Sequence, residues 1–130
     1  MDLALAFYRD FVGLRPTVDQ EEKRQDGSSR RAVYLCWSDS ARAGFVVLDQ
    51  ALGTPAPGAP AQLYELGIHH LGFTVDDLDE VLTRAAKHGV AVRRTSTEPG
   101  PRYGEPGGAR VRTALTADPD GNIIQFDQWL

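Results

Sequence analysis

The 130-residue sequence predicts an α+β fold built from two successive passes of one module. Three observations carry that prediction. A helix followed by three strands can be traced twice, in the same order. Each pass closes on a similar strand end, Leu48-Asp49-Gln50 in the first and Phe126-Asp127-Gln128 in the second. Between them lies Ala51 to Pro60, rich in Pro, Gly and Ala, where a linker belongs.

The first helix is expected from Asp2, a cap candidate, with Leu3, Ala6, Phe7, Phe11 and Leu14 at the three-to-four spacing of a buried stripe. Gly13 ends it, close to Pro16. Strands are expected at about Thr17 to Lys23, Ala32 to Trp37 and Gly44 to Gln50. The segments Gln25-Asp26-Gly27-Ser28-Ser29 and Ser38-Asp39-Ser40 supply the turns between them.

The second pass opens with an additional strand, Ile68 to Val75. A helix follows from Leu78 to about His88, with Asp77 as cap and Glu80 completing a capping box. Leu78, Val81, Leu82 and Ala85 give it an apolar face, and Gly89 stops it. Three strands are then expected, at about Val90 to Thr95, Arg110 to Ala117 and Ile123 to Trp129. A long Pro/Gly loop, Ser96 to Gly108, precedes the second of these, and Asp118-Pro119-Asp120-Gly121-Asn122 turns between the last two.

Overlaid, Asp2-Leu3 matches Asp77-Leu78, Arg9 matches Arg84, and Gly13 matches Gly89 with one residue of slip. The reading is one domain over 1–130, with module one at 1–50, a linker at 51–67 and module two at 68–130. The strand carrying His70, seven residues before Asp77, has a counterpart that would lie before Met1. Module one is therefore expected to lack its first strand. A late start, a trimmed chain or a partner covering the edge would each account for this. The last favours a homodimer, because an unpaired strand edge invites association.

Composition narrows the partners. A formal net charge of −4 with no clustered basic face argues against nucleic acid. The pairs Arg30-Arg31 and Arg93-Arg94 are short enough to be solvated strand ends. No apolar stretch approaches the roughly 20 residues of a membrane span, and no basic leader precedes an apolar core, so a cytoplasmic protein is expected. The one cysteine, Cys36, lies in the apolar run Val33-Tyr34-Leu35-Cys36-Trp37 and is expected to be a buried, inert thiol.

Three segments carry a family likeness: Leu3-Ala4-Leu5-Ala6-Phe7-Tyr8-Arg9-Asp10-Phe11-Val12-Gly13-Leu14, His70-Leu71-Gly72-Phe73-Thr74-Val75-Asp76-Asp77-Leu78, and Asp118-Pro119-Asp120-Gly121-Asn122-Ile123-Ile124-Gln125. They resemble the first helix, the strand opening the second module and the last hairpin of vicinal oxygen chelate proteins, the glyoxalase, bleomycin-resistance and extradiol dioxygenase fold. The resemblance implies two βαβββ modules forming a curved mixed sheet around a cavity, with helices outside. Strand alternation agrees: Leu71, Phe73 and Val75 fall on the helix side with Ile124 and Phe126. His70, Gly72 and Thr74, and Ile123, Gln125, Asp127 and Trp129, then face the cavity.

The superfamily's site implies a divalent ion held by four ligands, one from the first and one from the last strand of each module. Here the first position would precede Met1, the second falls on Val47, the third is His70 and the fourth is Gln125, where glutamate is more usual. Asp49 and Asp127 stand near by on their strands; a charge reaching water is the plainer reading of both. For His70 the plainer reading is a cavity-lining histidine without metal, while His69 is expected on the opposite face. His88 suits a helix C-terminus.

The loop before the penultimate strand is long enough to act as a flap, with Arg102 and Tyr103 reaching a ligand by charge and stacking; a plain solvated loop is the plainer reading. Trp129, Tyr34 and Trp37 are further aromatic surfaces, the last two more simply explained as core. The cofactor therefore stays open, none or a divalent metal ion. The favoured function is small-molecule binding in the sheet cavity without a complete metal site, with Trp129, Arg102, Tyr103, Asp49 and Asp127 as ligand contacts. The alternative is a metal-dependent lyase, epimerase or extradiol dioxygenase using His70 and Gln125, with the ion as Lewis acid. A third is a closed cavity serving only assembly.

Overall fold

A computed structural model describes residues 1–38, 42, 44–55, 58–60, 62 and 64–130. It is a mixed α+β fold with two sheets, and it divides into two compact units, Met1–Ala59 and Pro60–Leu130. No described helix is long and apolar enough to cross a membrane.

In the first unit, helix α1 (Asp2–Ala6) passes directly into a π-helical segment, Phe7–Val12. Ala4, Leu5, Phe7, Tyr8, Phe11 and Leu14 are buried, whereas Leu3 is 76% exposed. The expected stripe was therefore right at Phe7, Phe11 and Leu14 and wrong at Leu3. Asp2 is the first helical residue rather than its cap, and its carboxylate reaches Arg31 at 2.9 Å. Gly13, at φ 93°, takes the left-handed turn that ends the segment.

Three antiparallel strands follow in the order β1 (Arg15–Lys23), β2 (Ser29–Cys36), β3 (Phe45–Ala51). The middle strand carries the core, with Ala32, Val33, Leu35 and Cys36 all buried. The apolar run of β2 does not extend to Trp37, which lies past the strand end and is 54% exposed rather than in the core. Arg30 and Arg31 are not solvated strand ends but cross-strand partners: Arg31 binds Asp19 at 2.7 Å, and Arg30 binds Glu22 at 2.8 Å. The expected turn at 38–40 and the linker at 51–67 fall in part on residues outside those described.

The second unit has four strands in the order β4 (His70–Thr74), β7 (Ile123–Trp129), β6 (Arg110–Ala117), β5 (Arg94–Pro99). β4 runs parallel to β7 and the other pairs are antiparallel. Helix α2 (Leu78–Lys87) starts as expected at Asp77, whose carboxylate accepts from the Asp79 and Glu80 amides. Glu80 itself turns to Arg84, one turn on, at 3.0 Å. Leu78, Val81 and Ala85 are buried where α2 packs on β6 and β7.

On that same sheet face lie Ile124 and Phe126, the latter stacked on Phe73 at 6.0 Å, so the expected sidedness of both strands holds. Arg112 also points to this side and grips Asp79 at 2.6 Å, which holds the Asp79 carboxyl below its ordinary range. The Asp118 turn closes as expected, its carboxylate accepting from the Asp120 and Asn122 amides.

One strand moved. β5 begins at Arg94, not Val90, and runs to Pro99, so the first third of the expected loop is strand. The unit-one sheet holds three strands where this one holds four; among the described residues β3 pairs only with β2.

Candidate functional site

The strand registers of the second unit set three rows of side chains across the face turned away from α2. They are Arg94–Leu115–Gln125, Ser96–Thr113–Asp127 and Glu98–Val111–Trp129. A strand places alternate residues on one face, so these rows follow directly from pairing and pleat. β5 then runs into a 3-10 turn, Gly100–Tyr103, which carries Arg102 and Tyr103 to the rim.

That turn is pinned rather than free. The Gly100 amide donates to the Ala109 carbonyl at 2.7 Å, and a Cβ at position 100 would meet the same oxygen at 2.7 Å. Only glycine lets the two backbones approach so closely. The turn therefore places Arg102 and Tyr103 at the rim, and the first four residues of the expected loop are strand.

Together these elements line a cavity of about 310 Å³. Its floor is Ser96, Thr113, Leu115 and Gln125; its rim is Arg94, Glu98, Arg102 and Tyr103. Thr113 is only 5% exposed, and its hydroxyl is buried with no hydrogen-bond partner among the described residues. A lone buried hydroxyl of this kind costs on the order of 1–3 kcal/mol unless something fills it.

Gln125 donates its amide nitrogen to both Asp127 oxygens, at 3.0 and 2.9 Å, which leaves its carbonyl oxygen as the group offered to the cavity. At the rim, Glu98 is shared by two guanidiniums, Arg102 at 2.7 Å and Arg94 at 3.6 Å. Two cations facing one carboxylate leave a surplus of one positive charge. Trp129 meets Tyr103 edge to face at 6.1 Å and buttresses that ring.

Three of the residues expected from sequence thus line one cavity, namely Arg102, Tyr103 and Gln125. Trp129 and Asp127 stand behind them, supporting Tyr103 and Gln125. Asp49 lies on β3 of the other unit, where Arg30 binds it and Arg24 approaches at 3.5 Å.

His70 shares a sheet face with Gln125 but sits beside Ile123, with Gly72 occupying the place next to Gln125. Its Nδ1 lies 2.9 Å from that of His69, the rings at 82°. The expectation that His69 faces the other way fails because β4 starts only at His70, so strand alternation does not govern residue 69. Among the described residues, no group of three or more His, Cys, Asp or Glu side chains converges as a metal would require.

Sequence reasoning missed Arg94, Ser96, Glu98, Thr113 and Leu115. The available signal was Thr95-Ser96-Thr97, a polar run with β-branched residues that suits an edge strand.

Comparison with known proteins follows the fold. The family model for the Glyoxalase/Bleomycin resistance protein/Dioxygenase superfamily matches residues 1–111, ending just before Thr113. A glyoxalase family protein from Bacillus cereus superposes with a TM-score of 0.74 at 18% identity, covering 100% of this chain and 87% of that one. A glyoxylase/bleomycin resistance protein/dioxygenase domain from Frankia sp. gives 0.65 at 20% identity, covering 98% and 87%. TnmS3, an antibiotic binding protein from Streptomyces sp., gives 0.57 at 25% identity, covering 98% and 84%. No curated protein matches the sequence.

Proposed function

The chain belongs to the glyoxalase/bleomycin resistance protein/dioxygenase superfamily, and on that premise we propose that it binds a small organic molecule in the cavity of its second sheet without a resident metal ion. The observation that carries this reading is the Thr113 hydroxyl, buried and unpartnered in a cavity otherwise built of positioned polar groups and one buttressed aromatic ring. Native proteins rarely leave such a group unfilled away from a functional site. A concave site with a few fixed donors and acceptors is the usual form of a small-molecule site. The likeness to an antibiotic binding protein favours binding over turnover.

The donor set supports the metal-free part. Of the positions that the superfamily would use, one is Val47, which has no lone pair to give. Gln125 brings no charge to offset an ion's. His70 pairs with Ile123, two positions before Gln125 along β7. That no three His, Cys, Asp or Glu side chains converge among the described residues supports the reading without a chelated divalent ion.

The test pairs ligand screening by thermal shift with the near-isosteric Thr113→Val variant. Thr113→Val should fold at least as stably as wild type, because it removes an unsatisfied buried hydroxyl, and should lose about tenfold in affinity for any ligand that stabilises wild type. Calorimetric titration with Mn²⁺, Ni²⁺ or Zn²⁺ should give no specific heat. Equal ligand stabilisation of both proteins would sink the site assignment. Stoichiometric metal binding abolished by His70→Ala would sink the metal-free reading.

A further inference from the structure

The charge at the rim specifies the ligand further. Resting on the cavity as the ligand site, we propose that this site selects a small organic monoanion about one aromatic ring in size, its negative group held between Arg102 and Arg94 and a hydrogen-bonding group at its far end meeting Thr113 and Gln125.

Size comes first. At about 310 Å³ the cavity is at the small end of ligand pockets, which run roughly 300–1,000 Å³. A single ring with two substituents fits within it.

Charge comes second. Among the described residues Glu98, its side chain 18% exposed, is the only carboxylate that lines the cavity, Asp127 standing behind Gln125, and both guanidiniums lean on Glu98. Arg102 uses one terminal nitrogen for that bond, at 2.7 Å, so the rest of its five-donor fork is available to an incoming carboxylate. One added negative charge neutralises the Arg94–Glu98–Arg102 cluster; a cation would leave it with two in excess. The two arginine side chains are 64% and 71% exposed, which puts the anion at the mouth, where it keeps part of its hydration.

Polarity of the floor comes third. The Thr113 hydroxyl can donate or accept, and Gln125 presents a carbonyl oxygen, because its nitrogen is spent on Asp127. A ligand hydroxyl satisfies both, accepting from Thr113 and donating to Gln125. The ring between the two ends lies against Tyr103, which Trp129 keeps from turning away.

The experiment compares three matched probes on the whole protein by calorimetry or ligand-observed NMR: 4-hydroxybenzoate, its neutral methyl ester, and the cationic 4-hydroxybenzylamine. The acid should bind at least tenfold tighter than the ester, and the amine weakest. Arg102→Gln should weaken the acid about tenfold while leaving the ester within twofold, the size expected for losing a charge-assisted hydrogen bond. Glu98→Gln should tighten the acid several-fold, since it removes the competing carboxylate, and this gain cannot arise from misfolding.

Equal affinity for acid and ester, preference for the amine, or no binding of the acid at millimolar concentration each overturns the proposal. Ester binding that Thr113→Val abolishes, without any preference for the acid, would remove the charge inference and leave the cavity as a ligand site. Acid binding unaffected by Thr113→Val but lost in Arg102→Gln would remove the floor assignment instead.

Discussion

The two units carry the same frame and use it differently. Aligning β3 with β7 at Val47 and Gln125 carries the registers across both sheets. Ala32 then corresponds to Thr113, Arg31 to Arg112, Arg30 to Val111 and Glu22 to Glu98. On the helix side the match is functional as well as positional. Arg31 reaches Asp2 and Arg112 reaches Asp79, each tying an inner strand to the start of its unit's helix.

On the other face the copies part. Arg30 takes both Glu22 and Asp49, with Arg24 alongside, so that face of the first sheet is occupied by paired charges. In the second sheet Val111 stands in that place, Glu98 is left to rim arginines, and a threonine replaces an alanine beneath it. A pocket or an ion network follows from about four side chains. The backbone need not change, which is how one fold hosts unlike functions.

The largest contrast should lie in the cores. Phe126 is 1% exposed, stacked on Phe73 and flanked on both sides by β4 and β6. Its counterpart Leu48 is half-buried on β3, which pairs on one side only among the described residues. Phe126→Ala should cost about 3–5 kcal/mol in chemical denaturation, and Leu48→Ala about half that or less. Equal losses would mean that β3 is as well covered as β7 and would remove the asymmetry.

A smaller contrast concerns the helix starts. Asp77 satisfies two amides of α2, whereas α1 has Met1 at its cap position and no side-chain cap. Asp77→Ala should therefore lower stability by about 1 kcal/mol. Asp2→Ala, which removes only an ion pair whose carboxylate is 90% exposed, should lower it by less. A larger loss at Asp2 would show that the Arg31 tie matters more than capping.

What the sequence made legible follows from where local signals are strong. The strands Arg110–Ala117 and Ile123–Trp129 and the helix from Leu78 match expectation, because strict alternation, an aspartate cap and the Asp118 turn each act over a few residues. β5 went astray because Val90-Ala91-Val92 is apolar and drew the strand forward, while the true edge strand, Arg94–Pro99, is mostly polar. That one slip hid most of the site. Ser96 and Glu98 were placed in a loop, so nothing aligned them with Thr113 and Val111 across the register. Arg102, Tyr103 and Gln125 were visible because chemistry, not pairing, singles them out. The π-helical winding at Phe7–Val12 left no sequence signal that a 3.6-residue period would detect.

The smallest expected effect is acid sensitivity, and it should be uneven between the units. Arg31 hydrogen-bonds Asp19, and Arg30 hydrogen-bonds Glu22, so both carboxyls are held below their ordinary values in the folded protein; in the second unit Asp79 is held down by Arg112. A group whose folded pKa is depressed stabilises the protein above its unfolded pKa, about 4 for a carboxylate, and loses that contribution as pH falls through the folded value. Thermal midpoints should therefore be flat from neutrality down to about pH 5 and fall below about pH 4. Because these pairs are exposed, the fall should be shallow, and added salt should flatten it further. Asp19→Asn combined with Glu22→Gln should remove more of the acid slope than Asp79→Asn alone. If Asp79→Asn removes as much, the second unit depends on its ion pair as heavily as the first depends on two, and the division of labour between a charged copy and a pocketed one fails.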